Sequence, residues 1–257
     1  MSTWVLLRGL MREARHWENF PQALQQAIPV ARVVMVDLPG NGVLHRQRSP
    51  ARIEDMLEAC RMNLRTQGLP PPYHLLALSL GGMVGALWRK RYPAELSACV
   101  LINTSMRPFS PFWQRLRPRN YFTLVKLALV QHDLMRRERI VLALTSNRTE
   151  LQKQVLNRFI QIQLEAPVSR VNAIRQLWAA MRFTASENLA PVPTLILASA
   201  ADHLVDAHCS TKIAQSWRAA LCVHPDAGHD LTLDEPVWVA QQVAAWLLQV
   251  ERTNPIF

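Results

Sequence analysis

Six short apolar runs, each bounded by turn-forming residues, recur along the chain: Trp4–Leu7, Val33–Val36, Leu75–Leu78, Cys99–Ile102, Thr194–Leu197 and, more weakly, Ala220–Val223. They lack polar alternation, so they suit strands covered on both faces. Between them lie stretches with helical spacing: Glu13–Ala27, Ile53–Thr66, Gly81–Arg91, Cys209–Ala219 and Pro236–Val250. Strands and helices that alternate in this way predict a parallel sheet flanked by helices on both faces. The fold class is α/β, with about six mostly parallel strands.

One connection breaks the rhythm. The stretch from the strand ending near Asn103 to the strand starting near Thr194 is too long to be a loop in a compact domain. Its interior, from Tyr121 to Met181, has a helical composition broken at Asn147 and Pro167. The expected division is therefore a core of residues 1–105 and 193–257 with a helical cap inserted at 106–192. Charge follows the same division. The chain carries a net charge of +10, and the segment from Met106 to Val192 holds 14 Lys+Arg against 5 Asp+Glu. Nearly all of the basic excess belongs to this one segment, and nucleic acid is not the expected partner, since the candidate site read below would then be unexplained.

No apolar window is long enough to span a membrane, and the start MSTWVLLRGL resembles no secretory leader. Cys60, Cys99, Cys209 and Cys222 form no closely spaced pair, so no metal cluster is expected and a reducing cytoplasm is the expected setting; the chemistry read below needs no cofactor either.

Six of the eight glycines, Gly9, Gly40, Gly42, Gly81, Gly82 and Gly228, follow predicted strands. Ligands of open α/β sheets bind at that edge, which places a site there. In Ala77-Leu78-Ser79-Leu80-Gly81, small residues on both sides of the serine permit a sharp strand-to-helix turn that lifts its hydroxyl off the sheet. Serine is also a common helix cap, so Ser79 needs a base before it reads as a nucleophile. His229, in Asp226-Ala227-Gly228-His229-Asp230, occupies a glycine turn between the last strand and the last helix. The other histidines, His16, His45, His74, His132, His203, His208 and His224, lack that placement. Asp202 directly follows the fifth run and would orient the base, with Asp206 as its competitor.

With these residues in view, the chain resembles the α/β-hydrolase superfamily over essentially its whole length. The resemblance rests on the elbow around Ser79, the strand-end Asp202, Gly228-His229, the loop Asp37-Leu38-Pro39-Gly40-Asn41-Gly42 and the position of the insertion. The insertion is similar to that of small bacterial serine esterases with caps, including the pimeloyl-carrier-protein methyl esterase type. The resemblance implies Ser79 as nucleophile, His229 as general base, Asp202 as orienting acid, and backbone N–H groups of Leu10 and Leu80 as the oxyanion hole. Ala77 stands where the family usually has glycine. Arg8 stands where it often has histidine, which puts a fixed positive charge near the entrance.

The expected activity is hydrolysis of a carboxylic ester or thioester of small-molecule size through an acyl-enzyme. Two alternatives use the same pocket: a Ser-Asp-His lyase acting on a polyanion, and a weakly catalytic binding protein. Arg8, Phe109 and Trp113 are candidate substrate contacts, and Phe112, Phe122, Leu127 and Leu129 are candidate pocket walls. Arg107, Arg115, Arg117, Arg119, Arg136, Arg137 and Arg139 either form a solvated face or dock an acidic acyl carrier.

Overall fold

The computed structural model describes residues 2–129, 133–188 and 190–253. Strands β1 (Ser2–Leu7), β2 (Ala31–Val36), β3 (Tyr73–Leu78), β4 (Leu96–Ile102), β5 (Thr194–Ser199) and β6 (Ala220–His224) form one sheet in the order β2-β1-β3-β4-β5-β6. Every neighbouring pair is parallel. The order reverses direction after β2, so β1 and β3 lie side by side in mid-sheet and their carboxyl ends flank the crevice typical of such reversals.

Successive strand residues point to opposite faces. On one face Val5, Leu7, Leu75, Ala77 and Leu101 pack against α2 (Ile53–Thr66), α3 (Leu80–Arg91) and α9 (His208–Trp217). On the other, Trp4, Leu6, Leu76, Leu78 and Val100 pack against α1 (Phe20–Ala27) and α11 (Pro236–Thr253). Both faces are therefore dry, which is why the strand runs show no polar alternation.

The helix expected over Glu13–Ala27 is divided. A single tight turn covers Ala14–Trp17, and α1 begins only at Phe20. Glu18 adopts φ 50, and Pro21 in the first turn of α1 has no N–H to continue an earlier helix. The break lets Trp17 and Phe20 both enter the core.

Between β4 and β5 lie α4 (Phe112–Arg115), α5 (Tyr121–Leu129), α6 (Leu134–Thr145), α7 (Thr149–Glu165) and α8 (Arg170–Arg182). Leu142, Val155, Phe159 and Ile162 join α6 and α7 into a hairpin, which closes over Leu233 of α10 (Leu231–Asp234). Helix α8 is held differently, through buried amides: Asn172 bonds to the Ser49 N–H and the Gln47 carbonyl, and Gln176 to Asn41, Ser49 and the Met11 N–H. No helix among the described residues is long and apolar enough to cross a membrane.

Candidate active site

Ser79 is the single residue between β3 and α3, with φ 55 and ψ −112. A non-glycine residue in that region is strained and persists only when its surroundings hold it. They do so here. The Ser79 N–H donates to the Ile102 carbonyl at 2.9 Å, and its carbonyl accepts from Thr104 Oγ1 at 2.9 Å. The elbow also presses against the loop after β1. A Cβ on Gly81 would lie 2.6 Å from the Leu7 carbonyl oxygen, and one on Gly9 would lie 3.2 Å from the Ser79 Cβ. Glycine is required at Gly81 by that close approach.

His229 sits between β6 and α10, where its Nδ1–H donates to Asp202 Oδ2 at 2.7 Å. The second Asp202 oxygen accepts the N–H groups of Leu204 and Val205 at 2.7 and 2.9 Å. That cradle fixes the carboxylate, and among the described residues His229 Nε2 has no hydrogen-bond partner. Burial opposes a charged imidazole, but the Asp202 charge and its hydrogen bond outweigh this and raise the His229 pKa above the ordinary histidine value. Asp206, the alternative carboxylate, bonds to His208 instead.

Ser79 and His229 line one cavity of about 100 Å³ at the carboxyl edge of the sheet. Leu10, Met11, Leu78 and Leu204 line it from the core side, and Leu124, Leu127, Val141 and Leu144 close it from α5 and α6. Leu10 contributes to this wall, and among the described residues its N–H meets no protein acceptor. Leu80 is the first residue of α3, so its N–H has no acceptor within the helix.

The other expected contacts are placed variously around this cavity. Arg8 reaches the cavity wall, but its guanidinium is buried and forks onto Asp230 at 3.0 and 2.5 Å, with Trp17 beneath it. It presents no unpaired charge at the entrance. The Asp230 carboxyl, which burial alone would push up, is held below the usual range by Arg8. Phe109 packs edge-on against Trp217 of α9, and Trp113 is half exposed beside Phe112, so neither lines the cavity. Phe122 is exposed under Lys126. Leu127 is on the wall, while the Leu129 side chain and His132 lie outside the described residues. Arg115 bonds to the Ala180 and Met181 carbonyls, Arg117 faces Asp206 at 3.9 Å, and Arg119 contacts His203. Arg115 thus joins two parts of the insertion, and Arg117 and Arg119 fasten it to the loop after β5.

Three residues that carry the site went unnoticed in the sequence. Asn103, at φ 45, donates to the His229 carbonyl at 2.8 Å and accepts the Ser199 N–H, tying the ends of β4 and β5 to the histidine loop. Asp234 accepts the N–H groups of Gly228 and Asn147 and the Ser146 hydroxyl. Glu138, on α6, pairs with Arg12 at 2.7 Å and so fastens the loop after β1 to the insertion. A polar residue directly after a buried strand was the available signal for Asn103; the other two are visible only once distant segments meet.

A family model described as alpha/beta hydrolase fold matches residues 5–236. The chain is an alpha/beta hydrolase. Among curated proteins, this hydrolase is 21% identical to the mouse (Mus musculus) monoacylglycerol lipase ABHD6 over 270 residues, covering 97% of its own chain and 76% of that protein. Among solved structures, it superposes on a thermophilic esterase from Thermogutta terrifontis with a TM-score of 0.75 at 21% identity, covering 97% and 90% of the two chains. Rv0554 from Mycobacterium tuberculosis gives a TM-score of 0.76 at 19% identity, with 96% and 90% covered. At these identities the structural likeness speaks for the hydrolase fold alone.

Proposed function

We propose that this hydrolase cleaves a carboxylic ester, or a thioester, through an acyl-enzyme formed on Ser79. The observation that carries the reading is the buried 2.7 Å contact between His229 and Asp202 beside a cavity that Ser79 shares. In the proposed cycle Ser79 Oγ attacks the carbonyl carbon while His229 Nε2 takes its proton, and Asp202 stabilises the imidazolium. The N–H groups of Leu10 and Leu80 receive the negative charge on the carbonyl oxygen. The same proton passes to the departing alcohol or thiol, and a water, deprotonated by His229, releases the acid. Residues 1–105 and 193–257 act as the core and 106–192 as the cap.

Names of relatives support the class: a monoacylglycerol lipase and an esterase are among the proteins this chain is similar to. The lyase alternative receives less support, because Arg8 and Arg12, the arginines on the cavity wall, are already paired with Asp230 and Glu138. The four thiols are free of disulfides, which fits a cytoplasmic setting. The test is labelling by a fluorophosphonate probe together with turnover of short aryl esters and thioesters. Stoichiometric labelling that is lost in Ser79→Ala supports the reading, whereas an unlabelled, inert protein overturns it.

A further inference from the structure

Helix α8 is built inside out. At about 100° per residue, Asn172, Gln176 and Ala179 share one face, and Val171, Ile174, Trp178 and Met181 share the opposite one, with Leu177 at its margin. The first group is buried: two side-chain amides point inward to segment 41–49 and the loop after β1. The apolar group faces outward, with exposures from 40% at Leu177 to 67% at Ile174. A helix this long that turns five large apolar side chains to water has an unpartnered face.

Charge shows what covers it. The segment beside α8, residues 43–53, carries Arg46, Arg48 and Arg52, and α8 carries Arg170, Arg175 and Arg182; neither stretch contains an Asp or Glu. Arg52 lines one groove with Trp178 and Arg182, and Arg175 donates to the Ser49 carbonyl, so the 43–53 segment borders the apolar stripe. Glu54, in the groove between α8 and α2, is paired with Arg52. A second copy of this chain is disfavoured, since a two-fold interface would set the arginine-bearing patch against itself. Nucleic acid would use the arginines but leave the aliphatic side chains without a role. An apolar stripe with a tryptophan, bordered by arginines and with the neighbouring Glu54 paired to Arg52, matches a surface that is anionic at its rim and hydrocarbon beneath.

We infer that the outward face of α8, with the adjoining 43–53 segment, docks the protein on the surface of an anionic lipid bilayer. Val171, Ile174, Trp178 and Met181 enter the headgroup boundary, and the arginines meet the lipid phosphates. Docking there requires no turnover, so it stands apart from the ester-hydrolase reading.

The experiment is co-sedimentation of the full chain with phosphatidylcholine vesicles, with and without phosphatidylglycerol, alongside sedimentation velocity without lipid. The expected result is binding about tenfold tighter to the anionic vesicles and weakened by salt. Two variants should each lose about tenfold of that binding: Ile174→Ser with Trp178→Ser, and Arg46→Glu with Arg48→Glu. The charge pair lies outside the helix and keeps the test decisive if the serine pair unfolds. Equal retention on both vesicle types, no retention, or undiminished binding by both variants overturns the inference. So does a lipid-independent dimer that the serine pair dissolves, which would make a second copy the occupant.

Discussion

Ser79, Asp202 and His229 each stand directly after a strand or in the loop that follows one, and their order along the chain marked them as candidates in the sequence. What the order could not convey is the electrostatics. His229 has its pKa raised because Asp202 overcomes the cost of burial. In the proposed cycle only the neutral imidazole accepts the serine proton, so kcat/KM should fall as pH drops through a midpoint above the ordinary histidine value of about 6.5. A pH–rate profile on a short ester measures this; Asp202→Asn should lower kcat by roughly 10⁴ through the wrong tautomer. Arg8 teaches the opposite lesson. Its position after β1 was readable, but its partner lies 222 residues away and emerges only from the fold. Arg8→Met leaves the Asp230 carboxylate buried without its cation and should cost about 3–5 kcal/mol, whereas Arg8→Met with Asp230→Leu should recover much of that loss. Urea unfolding of the two variants decides it: equal losses would mean that the fork contributes little.

Elements were largely legible because buried parallel strands have no polar residues to confuse the pattern, and all six runs became strands. Faces were less legible. Apolar residues at helical spacing in α8 face outward, and the core side of that helix carries Asn172 and Gln176. Segment 41–49 and the loop after β1 expose backbone groups and hydroxyls that need partners, so the inward positions are filled by amides that satisfy them. Gln176 is fully buried and accepts the Met11 N–H at 3.0 Å, one residue from Leu10. Gln176→Leu should therefore destabilise the protein by about 1–3 kcal/mol by stranding that N–H. It should also reduce kcat more than it changes KM, because the Leu10 amide loses its support in the transition state. Thermal unfolding and steady-state kinetics on the same sample test both halves, and an unchanged kcat would confine Gln176 to holding α8.

At the scale of the whole molecule, the cavity exists only because two bodies of chain meet: the carboxyl edge of the sheet supplies Ser79 and His229, and α5 and α6 supply the opposite wall. Anchors on several sides keep them together, among them Arg12 to Glu138, Asp230 N–H to the Thr145 carbonyl, and Asp234 to Ser146 and Asn147. The cavity is small, about 100 Å³, and its wall is largely aliphatic. In the ester-hydrolase reading a short acyl chain occupies this cavity, and a longer one must push α5 and α6 apart. Butyrate esters should therefore outpace octanoate esters in kcat/KM. Shortening the cap wall with Leu127→Ala and Leu144→Ala should narrow that ratio by about tenfold, since each methylene accommodated in an apolar pocket is worth ~10-fold or more. Assays across a graded series of p-nitrophenyl esters measure the ratio directly. A ratio unmoved by both substitutions would place the acyl group outside this cavity and the cap wall outside substrate selection.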